Sequence, residues 1–178
     1  MKILVAPDQF LKKTAKPVIS WDKKLAKEAA EMLKILNDAT DPEGVGLAAT
    51  QVGLDKRFFI INLKKKPIIF VNPEITYSSV KMFSDVYKKS KDRWLEGCLS
   101  LPRLWGFVDR PFKIKLSYQT PVDGKLVNQE ATYEDIESAY VQHEFDHLNG
   151  ILFTDRIIEQ KGRIFNETED GLVPIKLA

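Results

Sequence analysis

The chain's only two histidines stand four residues apart, in Gln142-His143-Glu144-Phe145-Asp146-His147. Four residues are close to one turn of an α-helix, so in a helix both imidazoles can reach one cation; in a strand they would stand about 13 Å apart. The motif therefore asks for a helix here. The periodicity agrees, since Ile136, Ala139, Tyr140, His143 and His147 recur at spacings of three and four. Thr132-Tyr133-Glu134-Asp135 reads as a capping box that starts this helix at Thr132, and Gly150 as its C-terminal cap. Glu144, beside the first imidazole, can reach a water held by the cation without being a ligand itself.

Two histidines are not a catalytic site; three protein ligands and an open position are. The third histidine of the metzincin pattern would fall at Phe153. Glu159, Glu167 and Glu169 are the downstream carboxylates available to a zinc protease, and none lies on a clear second helix. The remaining soft ligand is the single cysteine, Cys98, in Glu96-Gly97-Cys98-Leu99-Ser100-Leu101-Pro102. Taken alone, Cys98 reads equally well as a core residue or a ligand; beside two histidines the ligand reading prevails. A Cys–His nucleophile pair would leave Glu144 and the second histidine without a role. A third segment, Gly44-Val45-Gly46-Leu47-Ala48-Ala49-Thr50-Gln51-Val52-Gly53, has no Gly-Lys-Ser/Thr ending and is not a phosphate loop. Alone it reads as a tight turn entering a strand, or as backbone that pairs with an extended substrate.

Around these segments the pattern is mostly strand. A helix is expected over Asp22 to Asn37, with Leu25, Ala29, Met32, Leu33 and Leu36 on one face. Asp41-Pro42-Glu43-Gly44 breaks it. Strand-like runs follow at Arg57 to Leu63, Ile68 to Asn72, Ile75 to Val80 and Phe112 to Tyr118. Asp123-Gly124 reads as a hairpin tip leading into Lys125 to Ala131, and the tail as a hairpin of Arg163 to Asn166 against Leu172 to Leu177. The expected fold class is α+β: mostly antiparallel sheets around a central helix carrying the motif, with an N-terminal helix and a C-terminal hairpin, in a single domain spanning 1–178. A net charge of +2, from 27 basic and 25 acidic residues, gives no warrant for nucleic-acid or membrane binding. Runs such as Lys64-Lys65-Lys66 read as solvated turns. No stretch of about 18 apolar residues occurs and the N-terminal apolar run is too short for a signal peptide, so a cytoplasmic protein is expected.

Together the three segments resemble peptide deformylase. Its Gly-x-Gly-Leu-Ala-Ala-x-Gln run stands here as Gly44 to Gln51, its Glu-Gly-Cys-Leu-Ser run as Glu96 to Ser100, and its Gln-His-Glu and Asp-His-Leu triplets within Gln142 to Leu148, in the family order. The resemblance extends from about Pro7 to Asp155. It implies removal of the formyl group from the N-terminal formylmethionine of new polypeptides, releasing formate. Cys98, His143 and His147 would hold one divalent metal ion, natively Fe(II), with Zn, Ni or Co able to replace it. The cation lowers the pKa of a bound water from ~15.7 toward ~7, and the resulting hydroxide attacks the formyl carbon. Glu144 would be the general acid and base, and the Gln51 amide and Leu99 N–H the donors to the oxyanion. Val45, Gly46 and Leu99 match substrate-contacting positions. Ala139 and Tyr140 would lie near the methionine pocket, and Glu96 with Arg110 would form a charge pair that orients the cysteine loop.

The sequence departs from the family pattern in three places. Thr50 replaces a common proline, and Leu104-Trp105 is bulky where many bacterial members carry a substrate-contacting arginine. The tail lacks the long charged C-terminal helix associated with ribosome docking in one bacterial subclass. The expected partners are N-formylmethionyl nascent peptides, with at most transient ribosome contact, and the chain is expected to be a monomer. The rival readings are a zinc endopeptidase built on the same helix motif and a non-catalytic formyl-peptide-binding relative.

Overall fold

The computed structural model describes residues 1–40, 43–63 and 66–175. The readings made for Asp41-Pro42, for Lys64-Lys65 and for Lys176-Leu177 at the end of the tail lie outside these residues. In chain order the strands described are β1 (Gly46–Ala48), β2 (Phe58–Leu63), β3 (Lys66–Ser78), β4 (Glu96–Cys98), β5 (Leu101–Gly106), β6 (Lys113–Val122), β7 (Lys125–Glu134), β8 (Ile164–Thr168) and β9 (Gly171–Pro174). The helices are α1 (Lys23–Asp38), the single turn α2 (Phe83–Val86), α3 (Ile136–Leu148) and α4 (Phe153–Glu159). The fold is α+β, with one sheet ordered β1-β2-β3-β6-β7 and another ordered β4-β5-β8-β9, every pairing antiparallel.

β2 explains the layering. Its run Phe58-Phe59-Ile60-Ile61 is wholly buried, and alternate residues enter different cores. Phe58 and Ile60 pack with Leu25, Ala29, Met32 and Leu36 of α1; Phe59 and Ile61 pack with Val141 and Leu148 of α3. A strand with period-two side chains and apolar residues at every position must be covered on both faces. α1 and α3 therefore lie on opposite sides of the sheet. Each fully buried Leu, Met or Phe here contributes roughly 1.5–3 kcal/mol of transfer free energy. α1 begins at the cap Asp22, whose carboxylate accepts from the Leu25 N–H at 2.7 Å.

Three local readings of the sequence are corrected. The runs at Ile68–Asn72 and Ile75–Val80 belong to one strand, β3, which ends at Ser78. The interruption between them is a register shift after Val71, where Asn72 takes φ +49° and its amide brackets Val18, accepting from the N–H and donating to the carbonyl, both at 2.8 Å. The helix α3 starts at Ile136, not at Thr132: Thr132, Tyr133 and Glu134 pair with Lys115, Ile114 and Lys113, and the sheet ladder outcompetes the local cap. Asp135 then turns the chain at φ +56°, its carboxylate held by the Tyr87 hydroxyl at 2.6 Å. Lastly, Phe153–Glu159 is a helix within a segment that showed no clear helical signal. Glu159 lies at its end with its side chain 65% exposed and ion-pairs with Arg156, so it is no metal ligand.

Candidate active site

Three elements deliver the chemistry. α3 carries His143, Glu144 and His147 and is buried on most sides, not along one stripe. β4 carries Glu96 and Cys98. A 3-10 turn at Ala49–Val52, following β1, carries Gln51. The turn is tied to α3 by the Thr50 hydroxyl, which donates to the His147 carbonyl at 3.0 Å. A proline at position 50 could not make that bond.

The structure brings Cys98, His143 and His147 together, all buried, with one ligand atom from each lying within 4.8 Å of the others. Cys98 Sγ stands 3.2 Å from His147 Nε2. Around a tetrahedral cation with bonds of ~2.0–2.3 Å, neighbouring ligand atoms lie roughly 3.5 Å apart, so this donor set fits one ion of the Zn or Fe class. His143 bonds through Nδ1 to Glu96 Oε2 at 2.8 Å, which leaves Nε2 for the metal. His147 Nδ1 and Glu144 Oε2 are buried without a hydrogen-bond partner among the described residues. Isolated polar atoms of this kind are costly unless a ligand or substrate meets them.

Glu96 is the hub behind the ligands. Arg110 grips it twice, Nε to Oε1 at 2.6 Å and Nη2 to Oε2 at 3.0 Å. The third guanidinium nitrogen reaches Asp146 at 2.8 Å, and Arg156 closes on the same Asp146 at 2.7 Å. Burial alone would raise the Glu96 carboxyl, but Arg110 and the His143 hydrogen bond outweigh it and hold it down at about 2. Glu144 has no such cation clamped to it. Burial pushes its carboxyl up to about 7, opposed by the charge on His143 and assisted by that on Glu96. A carboxyl near neutrality can take and return a proton. Burial lowers the His147 imidazole, reinforced by His143 and Arg110. For His143, burial is overcome by hydrogen bonds to Cys98 and Glu96, which raise it.

A cleft of about 280 Å³ opens over this group, and Val45, Gly46, Gln51, Cys98, Leu99, Tyr140, His143 and Glu144 line it. The Gln51 amide is fixed at one end by the Ala48 N–H at 2.8 Å; its NH₂ points to Ser100 Oγ at 3.1 Å and Cys98 Sγ at 3.5 Å. Gly46 leaves the room that Glu144 occupies, since a Cβ there would collide with the carboxylate. Of the residues expected from the sequence, Ala139 is not in the cleft lining; it is buried against Phe83 and Phe112. Sequence reasoning missed Asp146, Arg156, Trp94 and Glu43. Asp146 could have been noticed as a charge at the i+3 position from His143, on a helix that has to be buried to hold a metal.

A family model described as polypeptide deformylase matches residues 1–163. The peptide deformylase of Brucella suis is 39% identical over 164 residues, covering 89% of this chain and 85% of that one. That of Thermotoga maritima is 38% identical over 160 residues, covering 90% and 88%. The crystal structure of the Thermotoga maritima peptide deformylase superposes with a TM-score of 0.74 at 37% identity, covering 87% of this chain and 95% of that one. A peptide deformylase from Synechococcus elongatus, solved with actinonin, superposes with a TM-score of 0.76 at 32% identity, covering 88% and 78%.

Proposed function

The chain belongs to the polypeptide deformylase family, a family of metal-dependent enzymes that remove formyl groups, and on that premise we propose how its own residues divide the work. Cys98, His143 and His147 hold one divalent ion, natively Fe(II), a site that Zn, Ni or Co can also fill. When bound, the ion supplies Lewis acidity and lowers the pKa of a coordinated water. The substrate is the formylmethionyl end of a new polypeptide. β1 is the edge of its sheet among the described residues, so its outer side is available to pair with an extended peptide at Val45 and Gly46. Tyr140 flanks the methionine side chain.

Glu144 takes the proton from water and delivers it to the amide nitrogen as the C–N bond to the formyl carbon breaks, leaving formate and a free amine. Its buried carboxyl, poised at about 7, suits both halves of that transfer. The Gln51 NH₂ and the Leu99 N–H donate to the oxygen that becomes negative at the formyl carbon; one such donor is worth ~3–4 kcal/mol in the transition state. Because its other end is tied to Ala48, Gln51 need not reorganise as charge develops. Glu96, backed by Arg110, fixes the ring of His143.

The reading extends to the setting. Among the described residues no helix is long and apolar enough to cross a membrane. We read the protein as a cytoplasmic monomer whose residues 1–178 form one catalytic domain arranged about α3. Contact with the ribosome, on this reading, is transient.

One observation carries this function: a buried carboxyl and an anchored amide share a cleft with Cys98 and His143, and His147 completes the donor set beside them. Formate release from formyl-Met-Ala-Ala by Fe(II)- or Ni(II)-loaded protein tests it. Cys98→Ala is expected to lose the metal. Glu144→Ala is expected to keep the metal by elemental analysis and to lose ~10²–10⁴ in kcat. An endopeptidase on the same helix would keep its metal in Cys98→Ala and would cut internal peptide bonds. A loaded wild-type protein that releases no formate overturns the reading.

A further inference from the structure

A groove of about 430 Å³ lies along α1 and shares no lining residue with the catalytic cleft. The cap Asp22 and Leu33, both in its wall, stand about 16 Å apart along the helix axis. Packing of the core does not account for this face. Leu25, Ala29, Met32 and Leu36 fill the space between α1 and the sheet, whereas Ala26 and Ala30 are exposed and Leu33 is half-buried. The short side chains of Ala26 and Ala30 leave the groove open, and its floor is Ile60 and Ile69, register partners on β2 and β3. Pro67 and Pro121 also line it and have no N–H to offer a polar ligand. Such walls accept an apolar body.

The charge beside the groove is of one sign. At 100° per residue Lys23, Lys27 and Lys34 fall within about 40° of one another, next to Ala30 on the helix surface. All three are exposed, and among the described residues none of them enters an ion pair; the pair that α1 does make, Lys24 with Glu28, is on its other side. Lys23 itself lines the groove. Lysine stems cover apolar surface while their ammonium heads stay in water, so Lys23 puts a positive charge at the mouth of an apolar channel. The carboxylate of the lining, Asp22, is committed to the Leu25 N–H at 2.7 Å.

We propose that this groove is a binding site for a small amphipathic carboxylate of the medium-chain fatty acid class, its chain lying along Ala26, Ala30 and Leu33 and its head group meeting Lys23. The volume falls within the ~300–1,000 Å³ of small-molecule sites. A saturated chain of about twelve carbons, extended, has a length close to that of the groove. Lys27 and Lys34 add attraction along the rim without touching the ligand. The site is separate from the catalytic cleft and does not depend on the reaction proposed there.

Equilibrium dialysis of labelled dodecanoate against the metal-loaded protein, below the concentration at which it forms micelles, tests the site. One molecule per chain is expected, with a micromolar Kd. Shortening the ligand to decanoate and octanoate should weaken binding by roughly 4-fold per methylene removed. Dodecyltrimethylammonium, with the same chain and the opposite charge, should bind ~10-fold more weakly or worse. Ala26→Phe fills the groove and should abolish binding. Lys23→Glu, an exposed change that spares the fold, should weaken dodecanoate ~10-fold and narrow or reverse the preference over the ammonium. High salt should weaken the carboxylate and leave dodecanol unaffected. Absence of saturable binding overturns the proposal, as does binding that Ala26→Phe and Lys23→Glu both leave unchanged, which would place the ligand elsewhere. Equal affinity for the carboxylate and the ammonium overturns the head-group assignment and with it the proposed ligand class. A dimer in sedimentation that Ala26→Phe dissociates overturns it too, since a second copy of the chain then covers the groove.

Discussion

Two regions of the molecule are rich in opposite charges, and they are built for different ends. On the β6–β7 ribbon, Lys113 meets Glu134 at 2.9 Å and Lys115 meets Glu130 at 2.8 Å, with every one of these side chains about half exposed. Behind α3, Glu96, Arg110 and Asp146 form a chain with no more than 5% of any side chain exposed. The contact distances are alike; the surroundings are not. Water competes for every charge on the ribbon, so each pair there is nearly interchangeable with solvent. Behind α3 no water competes, and each group depends on its partners for compensation. Proximity of charges therefore says little about their contribution until burial is known. The costly arrangement occurs where His143, a proposed metal ligand, needs a fixed ring.

That contrast can be broken from its strongest point outward. Arg110→Ala strips Glu96 of its guanidinium and leaves Asp146 only the partly exposed Arg156; a destabilisation of ~3–5 kcal/mol is expected by denaturant titration of the metal-free protein. Glu96→Gln keeps the shape but weakens the hold on His143, and metal affinity measured by competition with a chelator should fall ~10–100-fold. If both variants bind metal as wild type does, the buried chain is only structural. Acid probes the same group without mutation. The Glu96 carboxyl is held at about 2 in the fold against an ordinary 4.5. A depressed carboxylate contributes stability that is fully present above ~4.5 and is lost as pH falls toward 2. The metal-free protein should accordingly lose stability across that window, and Glu96→Gln should flatten the loss. At the half-exposed end of the chain, Arg156→Ala should cost ~1 kcal/mol. On the ribbon, Lys115→Ala should change stability by no more than ~0.5 kcal/mol, and less in high salt. A ribbon effect as large as that of Arg110 would end the distinction.

The legible part of the site was the part written locally. His143, Glu144 and His147 share one helix, so their spacing alone carries their geometry, and the glycines around Val45 and Cys98 mark close approaches that no larger residue permits. Less legible was anything decided by competition. Thr132 reads as a helix start because its own neighbours form a cap, yet ten register pairs with β6 claim that segment for the sheet through Glu134. Phe153–Glu159 is too short for periodicity to stand out; it is helical because Phe153 and Ile157 fill the core beneath Cys98.

The Cys/His/His grouping and the α+β class were readable from residue type and spacing, because ligation and amphipathic burial impose short-range patterns on a chain. The tertiary structure alone settled which distant residues complete them: Asp146 and Arg156 behind Glu96, and Thr50 on the His147 carbonyl. These partners come from separate strands and helices, and sequence separation carries no signal of where two surfaces meet. Their selection was made by packing, which puts β2 between α1 and α3 and so determines which charges are buried together.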